Sequence, residues 1–383
     1  MSIDSNPVIG IIGGGQLGKM LALEAKRMSF GVIVLDPTPD CPAASVSDEQ
    51  IVADFKNLEA IENLAKKCSV LTYEIELGNV EALKKLQKNG CNINPSPETL
   101  EIIQDKFLQK TFLKKNGIPV PDFARVNNLN ELKAGLAKFG CPAMLKACKD
   151  SYDGRGNILI EKPEDAEGAF LQFRGKDMML EKFVPFTKEV SVMVARSAKG
   201  EIACYPLVEN IHKDSILNMT IAPARVDSSV MKKAEEIATK TMEILKGAGI
   251  FGIEMFVTAE GEILINEIAP RPHNSGHYTI EACHTSQFEQ HIRAILGLPL
   301  GDTTLLSPAV MINILGDDNR EGNYKLLGMP DALFVRGANL HIYGKHVVKK
   351  KRKMGHITVL DQNIENAIRK AEAARAAIKF EVL

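Results

Sequence analysis

The sequence carries almost no net charge: 47 Lys and Arg against 48 Asp and Glu give −1. That removes any global electrostatic case for nucleic acid or an anionic membrane as partner. Its seven cysteines are scattered, odd in number and form no C-x-x-C pair, which argues against a disulfide framework and a zinc ribbon. A reducing cytoplasm is the compartment that fits. No run approaches the roughly 18 consecutive apolar residues of a membrane span, and Met1 to Pro7 lacks the apolar stretch of a signal peptide. There is no internal repeat, low-complexity tract or long block of like charge. What remains is ordinary globular composition, 45% hydrophobic and 25% charged, in 383 residues. That length suits two to three domains with a sizeable core.

The N-terminal third alternates strand and helix. Val8 to Ile12, Val32 to Leu35, Val70 to Tyr73 and Cys91 to Ile93 read as strands. Gln16 to Met28, Leu58 to Lys66 and Val80 to Gln87 have helical spacing. This alternation predicts a parallel sheet covered by helices on both faces. It ends near Pro95-Ser96-Pro97, and one helix, Glu101 to Lys115, leads to a linker at Gly117 to Pro121. Strand-like runs follow at Pro142 to Lys146, Ile158 to Ile160, Gly252 to Val257 and Ile263 to Glu267. Helices are expected at Met231 to Leu245 and Asn363 to Ala377.

Gly13-x-Gly15-x-x-Gly18 lies between a strand and a helix, with Asp36 eighteen residues after Gly18. This is the spacing of a dinucleotide-binding turn, in which glycines admit an anion to a helix N-terminus. Three readings stay open: NAD, the phosphate of another ligand, and a purely structural turn. The phosphate of another ligand is the favoured one, because no nicotinamide chemistry follows downstream.

A second signal is a pair of carboxylates. In Gly252 to Val257, Ile253, Met255 and Val257 share one face, and Glu254 and Phe256 share the other. The Ala259-Glu260-Gly261 turn makes Ile263 to Glu267 the returning strand of an antiparallel hairpin, which can bring Glu254 and Glu267 to one face with Asn266 adjacent. Two carboxylates and an amide oxygen are hard ligands suited to Mg²⁺; the plain alternative is two solvated strand carboxylates. The loop that follows, Ala269-Pro270-Arg271-Pro272-His273-Asn274-Ser275-Gly276-His277, cannot be helical, so a zinc-protease H-E-x-x-H reading fails. Its donors make it a candidate anion site.

From Asn266 onward the sequence resembles the N5-carboxyaminoimidazole ribonucleotide synthetases, ATP-grasp enzymes of purine biosynthesis. GGGQLGKM (13–20), TYEIE (72–76), QDK (104–106), Lys146 with YDGRG (152–156), EKFV (181–184) with Glu189, YP through NIH (205–212) and KMGH (353–356) match in order. The resemblance spans essentially the whole chain. It implies an α/β ATP-grasp fold with an N-terminal Rossmann-like parallel domain (1–103), a lid region (104–194), a body (195–301) and a strand-rich C-terminal segment (302–383) completing the acceptor site. Departures are Lys19 and Lys106, where arginine is common, Ser151 for glycine, and Leu77-Gly78 after Glu76.

The implied reaction is ATP- and bicarbonate-dependent carboxylation of 5-aminoimidazole ribonucleotide through carboxyphosphate, with Mg²⁺ or Mn²⁺. The ATP site implied comprises Lys106, Lys146, the loop Ser151, Tyr152, Asp153, Gly154, Arg155 and Gly156, then Glu181, Lys182, Phe183, Val184, Glu189, His212, Asn266 and Glu267. The metal ligands are Glu254 and Glu267. Gly15, Gln16, Leu17, Glu74, Glu76, Tyr152, Lys345, Arg352 and Lys353 are implied for the ribonucleotide. Asp153, Arg155, Arg271 and His273 are the candidate catalytic residues, with His273 or Asp153 relaying the proton lost from nitrogen. A homodimer and a separate downstream mutase are further expectations. The rivals are a formate-dependent glycinamide ribonucleotide transformylase of the same fold, an NAD-dependent oxidoreductase and a non-catalytic nucleotide-binding regulator.

Overall fold

The computed structural model describes residues 6–149, 156–316 and 320–383. The first sheet is parallel, in the order Glu49–Val52, Gly31–Asp36, Val8–Ile12, Val70–Tyr73. Helix Gln16–Arg27 puts Leu17, Met20, Leu21 and Ala25 against it, following the period read from sequence. Cys91 to Ile93 does not form a strand: a single bridge joins Ile93 to Leu71.

The expected helix Glu101 to Lys115 is two helices, Pro97–Gln104 and Lys106–Lys115. Asp105 breaks it, with extended backbone and a side chain that accepts from the N–H groups of Phe107 (2.9 Å) and Leu108 (3.1 Å). An aspartate N-cap satisfies donors that a continuous helix would have bonded internally. The break makes Lys106 the first residue of the second helix. The linker is also fastened: Ile118 is buried and the Pro119 carbonyl accepts from the Ile265 N–H at 2.9 Å.

Two large antiparallel sheets follow, with a small two-stranded one, Tyr324–Leu327 against Lys379–Val382, near the C-terminus. The smaller of the two large sheets runs Phe123–Val126, Met178–Lys182, Ala143–Ala147, Asn157–Ile160. The larger has nine strands. It runs from the hairpin Ile263–Ala269 and Gly249–Thr258 through Phe186–Arg196, Val208–Lys213 and Ile216–Ala222. It continues without a gap into Ala309–Leu315, Lys353–Leu360 and Ala338–Ile342. The C-terminal segment thus extends the sheet that carries the paired carboxylates, which is how Lys353 comes to line the same cleft as Glu254. Helix Ser228–Leu245 packs Ala234, Ala238 and Met242 into the core on one face of this sheet. Among the described residues no helix is long and apolar enough to cross a membrane.

Candidate active site

Glu254 and Glu267 are direct register partners in the hairpin. The register slips immediately afterwards: Met255 pairs with Ile265, so Asn266 is an extra residue. Regular alternation would send Asn266 to the face opposite Glu267. The bulge lets both side chains line the same cleft, as bulges beside active sites do. Glu254 has its carboxyl raised, first by its position deep in the cleft and then by the like charge of Glu267. Desolvation acts to raise Glu267, but Lys106, 2.5 Å away, together with Lys146 and Arg271 outweighs it and holds the carboxyl below its usual range.

Among the described residues no cluster of three or more His, Cys, Asp or Glu is arranged for a metal. The two facing carboxylates Glu254 and Glu267 with the amide oxygen of Asn266 are hard oxygen donors of the kind that would suit Mg²⁺.

Lys106 and Lys146, expected from sequence to face phosphate, sit beside a network that sequence reading missed. Lys146 Nζ lies 2.6 Å from Glu181 Oε1 and 3.2 Å from Asn266 Oδ1. The other oxygen of Glu181 pairs with fully buried Lys110 at 2.7 Å, and Lys110 donates to the Ile265 carbonyl at 3.1 Å. The Glu181 carboxylate is therefore turned to lysines, leaving only its backbone for a nucleotide. Lys110 lies four residues past Lys106, one helical turn on, which is the signal that would have marked it.

The N–H groups of the glycine turn are taken by carboxylates of the same chain. Glu74 accepts from Gly15 N–H (2.6 Å) and Gly18 N–H (2.8 Å), and Asp36 accepts from Gly14 N–H (2.8 Å) and Thr38 N–H (2.8 Å). Two of the protein's own carboxylates bond the N–H groups of Gly14, Gly15 and Gly18, which supports the reading of these glycines as a structural turn. A Cβ on Gly13, whose φ is +104°, would collide with Glu74. The glycines make room for that side chain.

Glu76 forms an ion pair with Arg271 at 2.9 Å, which aims the guanidinium across the cleft. His273 has Nε2 3.3 Å from Glu254. Its ring is held well below the usual imidazole pKa, by burial first and then by Arg271 and Lys353. His212 pairs with Glu189. Lys345 donates to the Lys353 carbonyl (2.8 Å) and Arg352 to the Val347 carbonyl (2.7 Å), while Lys349 pairs with Glu321. His277 does not join the cleft: it is fully buried, with its ring 4.7 Å from that of His356.

A single cleft of about 1270 Å³ collects these groups. Gly15, Gln16, Leu17, Glu74, Glu76, Lys106, Lys146, Glu181, Lys182, Phe183, Val184, Glu189, His212, Glu254, Asn266, Glu267, Arg271, His273, Lys345, Arg352 and Lys353 all line it. Gly156 does not. Ser151, Tyr152, Asp153, Gly154 and Arg155 lie outside the described residues. One wall, between the small sheet and the large one, is apolar: Met144, Leu159, Val184 and the stacked rings of Phe186 and Phe256, 4.7 Å apart. Phe256 sits two residues beyond Glu254 on the same strand face.

An apolar slot ending in lysines and a carboxylate pair, between two antiparallel sheets, defines an ATP-grasp ligase. Residues 111–288 match the ATP-grasp domain family, 7–104 the ribonucleotide synthetase preATP-grasp domain, and 309–370 the phosphoribosylaminoimidazole carboxylase C-terminal domain. The chain belongs to the N5-carboxyaminoimidazole ribonucleotide synthase family of purine biosynthesis. It is similar to the synthase of Bacillus subtilis (strain 168), 45% identical over 355 residues covering 93% of this chain and 92% of the relative. The crystal structure of the Thermotoga maritima synthetase is 55% identical with a TM-score of 0.90, covering 98% of this chain and all (100%) of that one. An Aspergillus clavatus synthase solved with ADP and 5-aminoimidazole ribonucleotide is 36% identical, with a TM-score of 0.89 over 96% of this chain and 98% of that one.

Proposed function

We propose that the chain carboxylates the 5-amino group of 5-aminoimidazole ribonucleotide, using ATP and bicarbonate, and that the cleft's two ends divide the work. The observation that carries this is one cavity lined both by an apolar slot with Lys106 and Lys146 and by Arg271, His273 and Lys353. Its volume exceeds the few hundred Å³ of an ordinary single-ligand pocket.

At the first end, backbone groups of Lys182 and Val184 read the adenine edge and Phe186 and Phe256 wall the ring. Glu189 holds ribose, with His212 as its partner. Lys106 and Lys146 meet the phosphates. Glu254, Glu267 and Asn266 hold Mg²⁺, or Mn²⁺ in its place, which neutralises phosphate charge when bound. Bicarbonate oxygen takes the γ-phosphoryl group, the bridging P–O bond to ADP breaks, and carboxyphosphate results. The 5-amino nitrogen then bonds to the carboxyl carbon, directly or after CO2 release; phosphate departs and takes up the proton that nitrogen loses. Arg271 orients the bicarbonate-derived group. Lys345, Arg352 and Lys353 bind the ribonucleotide phosphate, and Gly15, Gln16, Leu17, Glu74 and Glu76 border its ribose. The family resemblance assigns the loop Ser151 to Gly156 to ATP and, within it, Asp153 and Arg155 to the reaction. Cytoplasmic location, a homodimer and a separate mutase acting on the product complete this reading.

The test is ADP release by purified protein with ATP, Mg²⁺ and bicarbonate. Release is expected to depend on 5-aminoimidazole ribonucleotide; equal release with glycinamide ribonucleotide and formate overturns the reading. Lys353→Ala is expected to raise KM for the ribonucleotide about tenfold or more, the worth of a charged hydrogen bond, with KM for ATP unchanged. An unmoved ribonucleotide KM removes the phosphate assignment.

A further inference from the structure

Behind His273 runs a chain of buried polar groups that reaches back into the large sheet. Its direction is set at the histidine end. The backbone N–H of Ser275, which can only donate, points at His273 Nδ1 at 3.4 Å. Nδ1 is therefore an acceptor, and the Ser275 hydroxyl, 2.8 Å from the same nitrogen, must also donate to it. With its proton so placed, Ser275 Oγ accepts from the Ser191 hydroxyl at 2.8 Å. Ser191 Oγ in turn accepts from the side-chain amide of Asn210 at 2.9 Å, and the Asn210 carbonyl oxygen accepts from the Thr220 hydroxyl at 3.1 Å. Each donor in the sequence finds an acceptor in one direction only. Ser191, Ser275 and Thr220 are essentially excluded from solvent, at 0% exposure, so water does not offer them substitutes.

The ring itself is fixed from both sides. A Cβ on Gly252 would lie 2.5 Å from His273 Cβ, so glycine is required beneath the ring. The Gln287 carboxamide grips the His273 backbone like a paired strand, accepting from its N–H (2.9 Å) and donating to its carbonyl (2.8 Å). Nε2 is left on the cleft side, beside Glu254.

Resting on the carboxylation reading above, we infer that Ser275, Ser191 and Asn210 are positioning residues that hold His273 as the Nε2–H tautomer. His273 then donates a hydrogen bond to an oxygen of the bicarbonate-derived group and does not take the proton from the amino nitrogen. A neutral imidazole whose Nδ1 already accepts twice has its only N–H at Nε2, and that nitrogen has no lone pair to offer. The arrangement is a fixed dipole aimed where negative charge gathers, which is effective because nothing must reorganise during reaction.

The tautomer is read directly by nitrogen-15 spectroscopy of the wild-type enzyme labelled at histidine, with the His273 signals assigned by their loss in His273→Gln. An Nε2–H pattern is expected; an Nδ1–H pattern overturns the inference, whether or not the preparation turns over. ADP release dependent on the ribonucleotide is recorded on the same wild-type sample, so that failure of the carboxylation reading is seen separately. Two sets of variants test the role. Glutamine places an N–H near the former Nε2 but is no base. His273→Ala is expected to lose about a hundredfold or more in kcat, as for a deleted oxyanion donor, and His273→Gln only about tenfold. Equal loss in both variants restores the base assignment and overturns the donor role. Asn210→Asp replaces the donating amide with an acceptor and so reverses the chain. It is expected to shift the His273 signals toward Nδ1–H and to lower kcat with KM for ATP unchanged, whereas unchanged signals in a folded variant break the link to the chain.

Discussion

Glu267→Gln is expected to lower turnover by about a thousandfold, some 4 kcal/mol of transition-state stabilisation, while leaving the fold intact. Glutamine keeps the shape and the register opposite Glu254. It removes one of two negative charges that face each other across the hairpin, and it releases Lys106 from its 2.5 Å partner. The raised carboxyl of Glu254 shows what the second charge does: two carboxylates this close, deep in a cleft, oppose each other's ionisation unless a cation lies between them. With one charge gone, the divalent cation proposed for this site would be left to Glu254, Asn266 and the nucleotide. The measurement is kcat against Mg²⁺ concentration, with thermal melting as the control. A markedly higher Mg²⁺ requirement accompanies the loss if the assignment is right. Turnover within tenfold of wild type at unchanged Mg²⁺ dependence would refute it.

The second large effect belongs to Lys110, which does not itself line the cleft but holds Glu181, which does. Lys110→Met is expected to destabilise the protein by about 3 kcal/mol and to raise KM for ATP. The lysine is fully buried and its pKa is lowered to about 8, by burial that outweighs the pull of Glu181. It is still charged at neutral pH. Its removal leaves one Glu181 oxygen and the Ile265 carbonyl without their donor. Lys146 is then drawn further onto Glu181 and away from the nucleotide. Adding Glu181→Gln to Lys110→Met removes the unmatched charge, so part of the lost stability should return; a double variant no more stable than the single would contradict the network.

The same network predicts a pH dependence. Burial acts to raise the Glu181 carboxyl, but Lys110 and Lys146 together outweigh it and bring the carboxyl down to about 2 from a usual 4.5. A carboxylate depressed in the folded state contributes stability that is full above the unfolded pKa and is lost as pH falls from about 4.5 toward 2. At about 1.4 kcal/mol per unit the contribution is on the order of 3 kcal/mol. Lys110 acts in the opposite range: the folded state holds its proton more weakly, so stability rises as pH increases from about 8 to 10.5. Denaturant melts of wild type and Lys110→Met across both windows are expected to differ, with the alkaline rise absent from the variant. Parallel curves would mean that Lys110 is not titrating there.

Sequence by itself determined a good deal. Period-two alternation placed Glu254 and Phe256 on one face, and a short turn returned Glu267 to that face; both follow from local geometry alone. The strand and helix alternation of the first third gave a parallel sheet for the same reason. The order of motifs along the chain identified the family before any contact was known. Tertiary structure decided what depended on residues far apart in sequence. Asn266 joins the cleft only because the hairpin register slips beside Glu254. Lys106 heads a helix because Asp105 caps it instead of continuing one. Arg271 is aimed by Glu76, and Lys146 by a carboxylate that also holds Lys110. The glycine turn was the most ambiguous, since its spacing specifies only that an anion can approach a helix N-terminus. Whether that anion is a ligand phosphate or a carboxylate from the same chain is set by which side chain packing delivers there, and here packing delivers Glu74.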